Sequence, residues 1–355
     1  MDITKGNLVV IGAGGYWGSI IVRAAIEVLG VDHVLAVDVS ETGLKLLAEH
    51  LTAQHGIDGD PMLAMSASLD TVLENENNKY FVIATPPQSH YKIAIKLLNH
   101  KRNILITKPI ALSAKDAEDI SALAASRRVV ATVDHTFLFH PAVTAMIKAV
   151  KSGAIGSPKT FYADWLSRGK IQDDVDVIWD LAPHPLSILL EFWKFPIEVS
   201  CKVLDKNNGV PTEASLFLIE QCTGNSATIH VSWMDSNKSR TFKIRGSHHT
   251  IIFDDMEGVD GKLRIKGGKT TGHQLLSEGY AGKVYDLTYT HEQVIKLNWE
   301  EPLKQELRNF IKTVEQPFVN SDEVATGTMT KGIACVKLIE AAERSLQKGV
   351  TEIVV

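Results

Sequence analysis

The stretch LVVIGAGGYWGSIIVRAAIEVLGVDHVLAVD, residues 8–38, decides the fold. It reads as a short apolar strand (8–12), a glycine turn, an amphipathic helix from Tyr16 to Leu29 and a second apolar strand (33–38) that ends in Asp38. Two parallel strands need a crossover between them, and a helix of this length supplies it. Outward from this unit the same grammar repeats. YFVIAT (80–85), NILITK (103–108) and VVATVD (129–134) read as buried strands, with helices expected over 42–54, 89–99 and 114–126, the last behind Ser113 as its N-cap. Such alternation predicts an α/β fold, a doubly wound parallel sheet covered by helices on both faces, over residues 1–134.

After residue 134 the pattern changes. Helices are expected over 142–151 and 179–192, followed by runs of alternating polarity at 197–204, 214–220, 227–234 and 241–245. Turn residues such as Asn207-Asn208-Gly209 and Thr223-Gly224-Asn225 join these runs, which suits a large, open, mainly antiparallel sheet with one packed face. Residues 135–355 are therefore expected to form an α+β domain. Two late helices, 302–314 and 321–347, have the option of returning to the first domain, which the sequence leaves open. A chain of 355 residues is long enough for two such domains, each with its own core.

Composition narrows the function classes. The 37 basic and 42 acidic side chains give a net charge of −5, so there is no basic field to hold nucleic acid. The longest uncharged stretch near the start, 8–22, is only 15 residues and carries four glycines, too short to span a membrane. Cys201, Cys222 and Cys335 are too few and too scattered for a disulfide framework or a four-cysteine zinc site. A cytoplasmic location is expected, with no membrane partner.

The glycine turn Gly12-Ala13-Gly14-Gly15-Tyr16-Trp17-Gly18 lies between the first strand and helix, where backbone amides and a helix N-terminus favour a pyrophosphate. Its spacing departs from G-x-G-x-x-G. Asp38 stands where a carboxylate accepts ribose hydroxyls and repels a 2′-phosphate, so NAD is expected rather than NADP. Thr85-Pro86-Pro87-Gln88-Ser89-His90 and Thr107-Lys108-Pro109 fall at carboxyl ends of parallel strands, where doubly wound sheets hold ligands. Asp180 and His184 are four residues apart, placed for one face of a helix. A carboxylate, an imidazole and a lysine suit proton removal from a hydroxyl, and a helix-end ion pair is the alternative. His135, His140, His184 and Asp180 lack a spacing that would converge on a metal, so none is expected.

These motifs, in this order, resemble the Gfo/Idh/MocA family of dinucleotide-dependent sugar oxidoreductases over nearly the whole chain. Gly15-Tyr16-Trp17-Gly18, His135-Thr136-Phe137-Leu138-Phe139 and Trp179-Asp180-Leu181-Ala182-Pro183-His184 are similar to the subgroup that oxidises the 3-hydroxyl of nucleotide-linked sugars, such as UDP-N-acetylglucosaminuronate. The resemblance implies a Rossmann domain and NAD(H) held by Gly12, Gly14, Gly15, Tyr16, Trp17, Asp38, Thr85, Pro86, Pro87, His90, Thr107, Lys108 and Trp179. It implies catalysis by Lys108 and His184, with Asp180 orienting the histidine. It implies a substrate site drawn from His135, Arg168, Lys170, Asp174, Asp176 and His184, and a homo-oligomer, dimer or tetramer, built through the C-terminal sheet.

Some positions depart from the family pattern. Thr107 replaces its glutamate, Pro185 an aspartate and His140 an asparagine. In the loop 169–177, Gln172 replaces a basic residue and Asp176 an asparagine. Asp173, Asp174 and Asp176 then make an acidic rim beside Lys170 and Arg168 that attracts an ammonium group and repels a diphosphate. An amino sugar of the aminoglycoside type is thus expected as substrate, with a UDP-sugar as the alternative. A non-catalytic protein that binds dinucleotide as a sensor is the rival from another class.

Overall fold

The computed structural model describes residues 6–55, 64–169, 171–267, 274–279, 282–286, 292–316 and 326–355; Lys170 lies outside the described residues. Contacts group the chain into two compact units. The first comprises Met1–Phe139, Asp173–Val175 and Glu300–Glu340, and the second His140–Gln172, Asp176–Trp299 and Ala341–Val355.

In the first unit β1 (Asn7–Ile11), β2 (Val34–Val37), β3 (Ala64–Ser66), β4 (Asn78–Ile83), β5 (Asn103–Thr107) and β6 (Ala131–Asp134) form a parallel sheet in the order β3-β2-β1-β4-β5-β6. Helices α1 (Tyr16–Leu29), α2 (Glu41–His55), α3 (Leu69–Leu73), α4 (Pro87–Asn99) and α5 (Ala114–Arg127) follow successive strands. The strand order reverses between β1 and β4, and ligands of doubly wound sheets bind at the carboxyl ends beside such a point.

The second unit opens with α6 (Pro141–Lys151), β7 (Pro158–Leu166), α7 (Val177–Leu181) and α8 (Pro183–Leu189). The strands β8 (Ile197–Asn207), β9 (Val210–Glu220), β10 (Ser226–Ser232), β11 (Ser239–Gly246), β12 (Thr250–Asp254) and β13 (Leu263–Lys266) follow. A separate hairpin of β14 (Gln274–Gly279) and β15 (Gly282–Asp286) precedes β16 (Glu292–Val294). After α9 (Pro302–Glu315) and α10 (Thr326–Lys348), β17 (Glu352–Val354) ends the chain. The large sheet runs β16-β13-β12-β11-β7-β10-β9-β8-β17. It is antiparallel except at its centre, where β7 pairs parallel with β10 (Ala163 opposite Ile229).

The helix expected over 179–192 is two short helices. Pro183 and Pro185 have no N–H to donate, and the helix breaks at Ala182, which keeps helical angles (φ −64°, ψ −29°). Of the helix expected over 321–347, α10 covers the part from Thr326 on, and residues 321–325 lie outside the described residues. The other late helix, α9, packs within the first unit. Its Leu303, Leu307, Phe310 and Ile311 join Leu8, Ile21, Val34 and Tyr80 in one core. Among the described residues no helix is long and apolar enough to cross a membrane.

Candidate active site

The glycine turn takes its shape from three close approaches. Gly12 has φ +84°, and a Cβ there would lie 2.6 Å from the Ala84 carbonyl oxygen, so the turn abuts the start of the Thr85-Pro86-Pro87 segment. Gly14 stands back to back with Gly43 of α2, where a Cβ would be 2.8 Å from the Gly43 backbone. A Cβ on Gly18 would be 2.0 Å from the Gly12 carbonyl oxygen. Gly18 is therefore the glycine that lets α1 pack on β1, one residue later than in G-x-G-x-x-G, and the irregular spacing concealed this role. The N-cap of α1 is Gly15, which has no side chain to occupy the helix N-terminus. This backbone fits the pyrophosphate of a dinucleotide. Tyr16 is exposed, and the Trp17 indole N–H donates to Asp134 Oδ2 (2.8 Å).

Asp38 directly follows β2, with both carboxylate oxygens engaged. Oδ2 accepts the N–H of Gly14 (2.9 Å) and Oδ1 that of Ser40 (2.8 Å). A carboxylate has about four lone-pair sites, so Asp38 retains capacity for a ribose hydroxyl.

His90 is fully buried at the start of α4 and bridges two turns. Its Nδ1 lies 2.9 Å from the Pro109 carbonyl oxygen and its Nε2 2.8 Å from that of Thr85. Burial lowers its pKa, while the carbonyls of Thr85, Pro109 and Ile110 and the charge of Asp174 act in the opposite sense. Thr107 is also buried; its hydroxyl donates to Ile83 O (3.0 Å) and faces His90 Nε2 at 3.4 Å. Where the family pattern has a glutamate, this chain thus has a hydroxyl that ties β5 to β4. Pro86 is the N-cap of α4 and Pro87 its first residue, and the Ser89 and Thr85 hydroxyls are bonded (2.6 Å). Lys108 follows β5 directly, partly exposed, on the turn that His90 holds. His135, just past β6, is 2% exposed and neither ring nitrogen has a hydrogen-bond partner among the described residues. Burial, with smaller contributions from Lys331 and Lys108 against that of Asp134, pushes its pKa down to about 4. Within the same unit the Gln88 side-chain amide donates to the backbone carbonyl of Asp174.

The second unit carries the remaining residues. Asp180, on α7, accepts the indole N–H of Trp233 (2.9 Å) through Oδ2. His184, on α8, stacks on Trp165, ring centroids 6.0 Å apart and planes 22° from parallel. Asp176 is the N-cap of α7, with Oδ1 accepting the N–H groups of Ile178 (2.9 Å) and Trp179 (3.1 Å), and burial raises its pKa. Trp179 is 6% exposed, with its indole N–H on Glu343 (2.7 Å). Arg168 is exposed just past β7. Sequence reading missed the packing role of Gly18 and the hold of Asp134 on the Trp17 indole.

The first unit is, by topology and glycine turn, a dinucleotide-binding α/β domain. Residues 7–135 match the Gfo/Idh/MocA model, described as an oxidoreductase family with an NAD-binding Rossmann fold. A UDP-N-acetylglucosamine 3-dehydrogenase of Acidithiobacillus ferrooxidans is 30% identical over 109 residues, 30% of this chain and 34% of that protein. A dTDP-3,4-didehydro-2,6-dideoxy-alpha-D-glucose 3-reductase of Streptomyces violaceoruber is 25% identical over 52% of this chain and 57% of its own length. The matched segments thus span less than two thirds of either relative. Among solved structures, GenD2 from gentamicin A biosynthesis in complex with NAD superposes with a TM-score of 0.75 at 19% identity, covering 100% of this chain and 98% of that one, and shows the same fold.

Proposed function

We propose that the protein is an NAD(H)-dependent oxidoreductase that interconverts a secondary ring alcohol of a sugar, the 3-hydroxyl, with the ketone. The observation that carries this reading is Lys108, set at the carboxyl end of β5 in an NAD-binding domain on a turn held by His90. The named activities of two relatives, a sugar 3-dehydrogenase and a sugar 3-reductase, support the position of the reacting hydroxyl.

NAD, when bound, supplies the hydride acceptor. In this reading His184 takes the proton from the hydroxyl and returns it in the reverse direction. Lys108 stabilises the developing alkoxide by charge and hydrogen bonding. Asp180, fixed by Trp233, orients His184. The acid–base set favours an enzyme over a sensor, which has no use for one.

For the substrate, Asp176 weakens the acidic-rim reading because its carboxylate caps α7, leaving Asp173 and Asp174. A sugar is the class proposed, with an amino sugar and a UDP-sugar as its two forms. The test is a screen for NADH formation with nucleotide sugars, amino sugars and aminoglycosides. Turnover of any of them supports the reading; NAD binding with no turnover of the whole panel leaves the sensor. A cytoplasmic homo-oligomer formed through the large sheet completes the proposal.

A further inference from the structure

At one edge of the large sheet β17 covers only Ile197, Glu198 and Val199 of β8. From Ser200 on, β8 is paired with β9 on one side and with no strand on the other. Its register with β9 shifts after Val203, so the regular part of the open edge is Ser200–Val203. In an antiparallel strand the backbone groups of alternate residues point to the same neighbour. The Cys201 N–H is turned outward, since it donates to Ser345 Oγ on α10 (3.3 Å), and the N–H and C=O of Val203 are therefore outward too. Among the described residues the Cys201 bond is the only one across this length of edge.

A groove of about 580 Å³ lies along the open edge, with an apolar lining from Val203, Leu346 and Val350. Lys202 and Lys206 line it as well, both exposed and without an ion pair among the described residues. The acids of the same edge are engaged. Glu198 accepts the Gln221 side-chain amide (3.1 Å), Asp205 accepts the Thr212 hydroxyl (3.3 Å), and Glu352 is paired with Arg344 (3.1 Å) and Lys348 (2.9 Å). The uncompensated charge of the groove is thus positive. An open strand edge is a template for another chain, and charge decides which chain it accepts. Pairing with β8 of a second copy would bring four lysines, two from each copy, onto one seam, which their like charge opposes. An extended segment that alternates acidic and apolar side chains inverts this: its carboxylates meet the two lysines, its apolar side chains meet Val203, Leu346 and Val350, and its backbone meets the outward groups of Val203.

We propose that the open edge of β8 at Ser200–Val203 is a docking site for an extended acidic segment of a partner protein, which continues the line of β17 as an added strand and places its carboxylates on Lys202 and Lys206. Every residue of this groove belongs to the second unit, and the proposal is independent of the sugar reaction.

The test is a fluorescence-anisotropy titration of the full chain with a labelled, end-capped peptide Glu-Val-Glu-Val-Glu. Two controls accompany it: Lys-Val-Lys-Val-Lys, and the acidic peptide with N-methylated valines, which cannot pair as a strand. The acidic peptide should bind saturably and more weakly as salt rises, and neither control should bind. Lys202→Glu combined with Lys206→Glu should weaken binding by about tenfold or more, because two attractions become repulsions. Val203→Pro removes an outward N–H and leaves the pairing with β9, so it should weaken binding by about fivefold, the equivalent of one lost hydrogen bond. No binding of the acidic peptide overturns the proposal, as does equal binding of the N-methylated peptide or unchanged affinity in the lysine variant. A lysine variant of lower mass than wild type in light scattering also overturns it, since a second copy then occupies the edge. Thermal unfolding checks that the variants are folded; should Val203→Pro not fold, the N-methylated peptide decides the strand pairing by itself.

Discussion

Lys108 stands on a turn whose shape depends on His90, so the two residues predict different failures. Lys108→Ala should lower turnover by roughly 10²-fold or more, with NAD affinity in calorimetry close to wild type, because only an acid–base or charge contribution is removed. His184→Ala should behave alike. His90→Ala removes the ring from between two buried carbonyls and should cost about 2–4 kcal/mol in denaturant unfolding, before any effect on rate. His135 gives a pH prediction. Its folded pKa, about 4, lies below the ordinary histidine value, so the native state binds its proton later than the unfolded chain does. Stability from the neutral ring is complete above about pH 6.5 and is lost as pH falls toward 4. Urea unfolding at pH 7 and pH 5 should show this loss in the wild type and a smaller one in His135→Gln. At this scale sequence reading was uneven. Asp176 stands directly before Val177-Ile178-Trp179, a helix-start signal, yet its charge suggested a substrate contact; a carboxylate in a loop and one at an N-cap look the same until the helix boundary is known.

Among the elements, the junction of β1 and α1 is the most constrained. Gly18→Ala places a methyl 2.0 Å from the Gly12 carbonyl oxygen, which neither strand nor helix can yield without moving the nucleotide turn. The expected result is a loss of about 1–3 kcal/mol by thermal unfolding, together with weakened NAD binding in titration. The parallel sheet was legible because its strands are uniformly apolar and separated by full helices. The strand β7 was not read, although Phe161, Ala163 and Trp165 alternate with Tyr162 and Asp164, because it stands alone between a helix and a loop and pairs with strands far along the chain. The three-residue β3 and β17 carry too few side chains to show a period. The course of α9 was open for a different reason: an apolar stripe records that a face is buried but not against what.

On the whole molecule, the large sheet presents a row of side chains on its uncovered face. Lys243 lies over the Tyr162 ring (4.8 Å), Tyr162 and Phe217 flank Thr228 from either side, and Ile219 lies one step along. Tyr162, Phe217 and Ile219 are each more than 40% exposed. Apolar side chains on one exposed face suit a second copy of the chain. If the chain assembles through this face as proposed, Phe217→Glu should reduce the mass measured by light scattering while leaving NAD affinity unchanged; an unaltered mass would remove this face from the proposed assembly.

The first unit is assembled from segments far apart in the chain, and this bears on the order in which a ribosome delivers them. When Phe139 has emerged, all six parallel strands exist, but the apolar faces of α1 and β4 still lack Leu303, Leu307, Phe310 and Ile311. Synthesis must proceed through the second unit as far as Trp299 before α9 arrives to close that core. The nascent nucleotide domain thus waits with an open hydrophobic face for about half of translation, a period in which chaperones have access to it. A fragment cut at residue 139 would be left permanently in that condition and should be recovered aggregated.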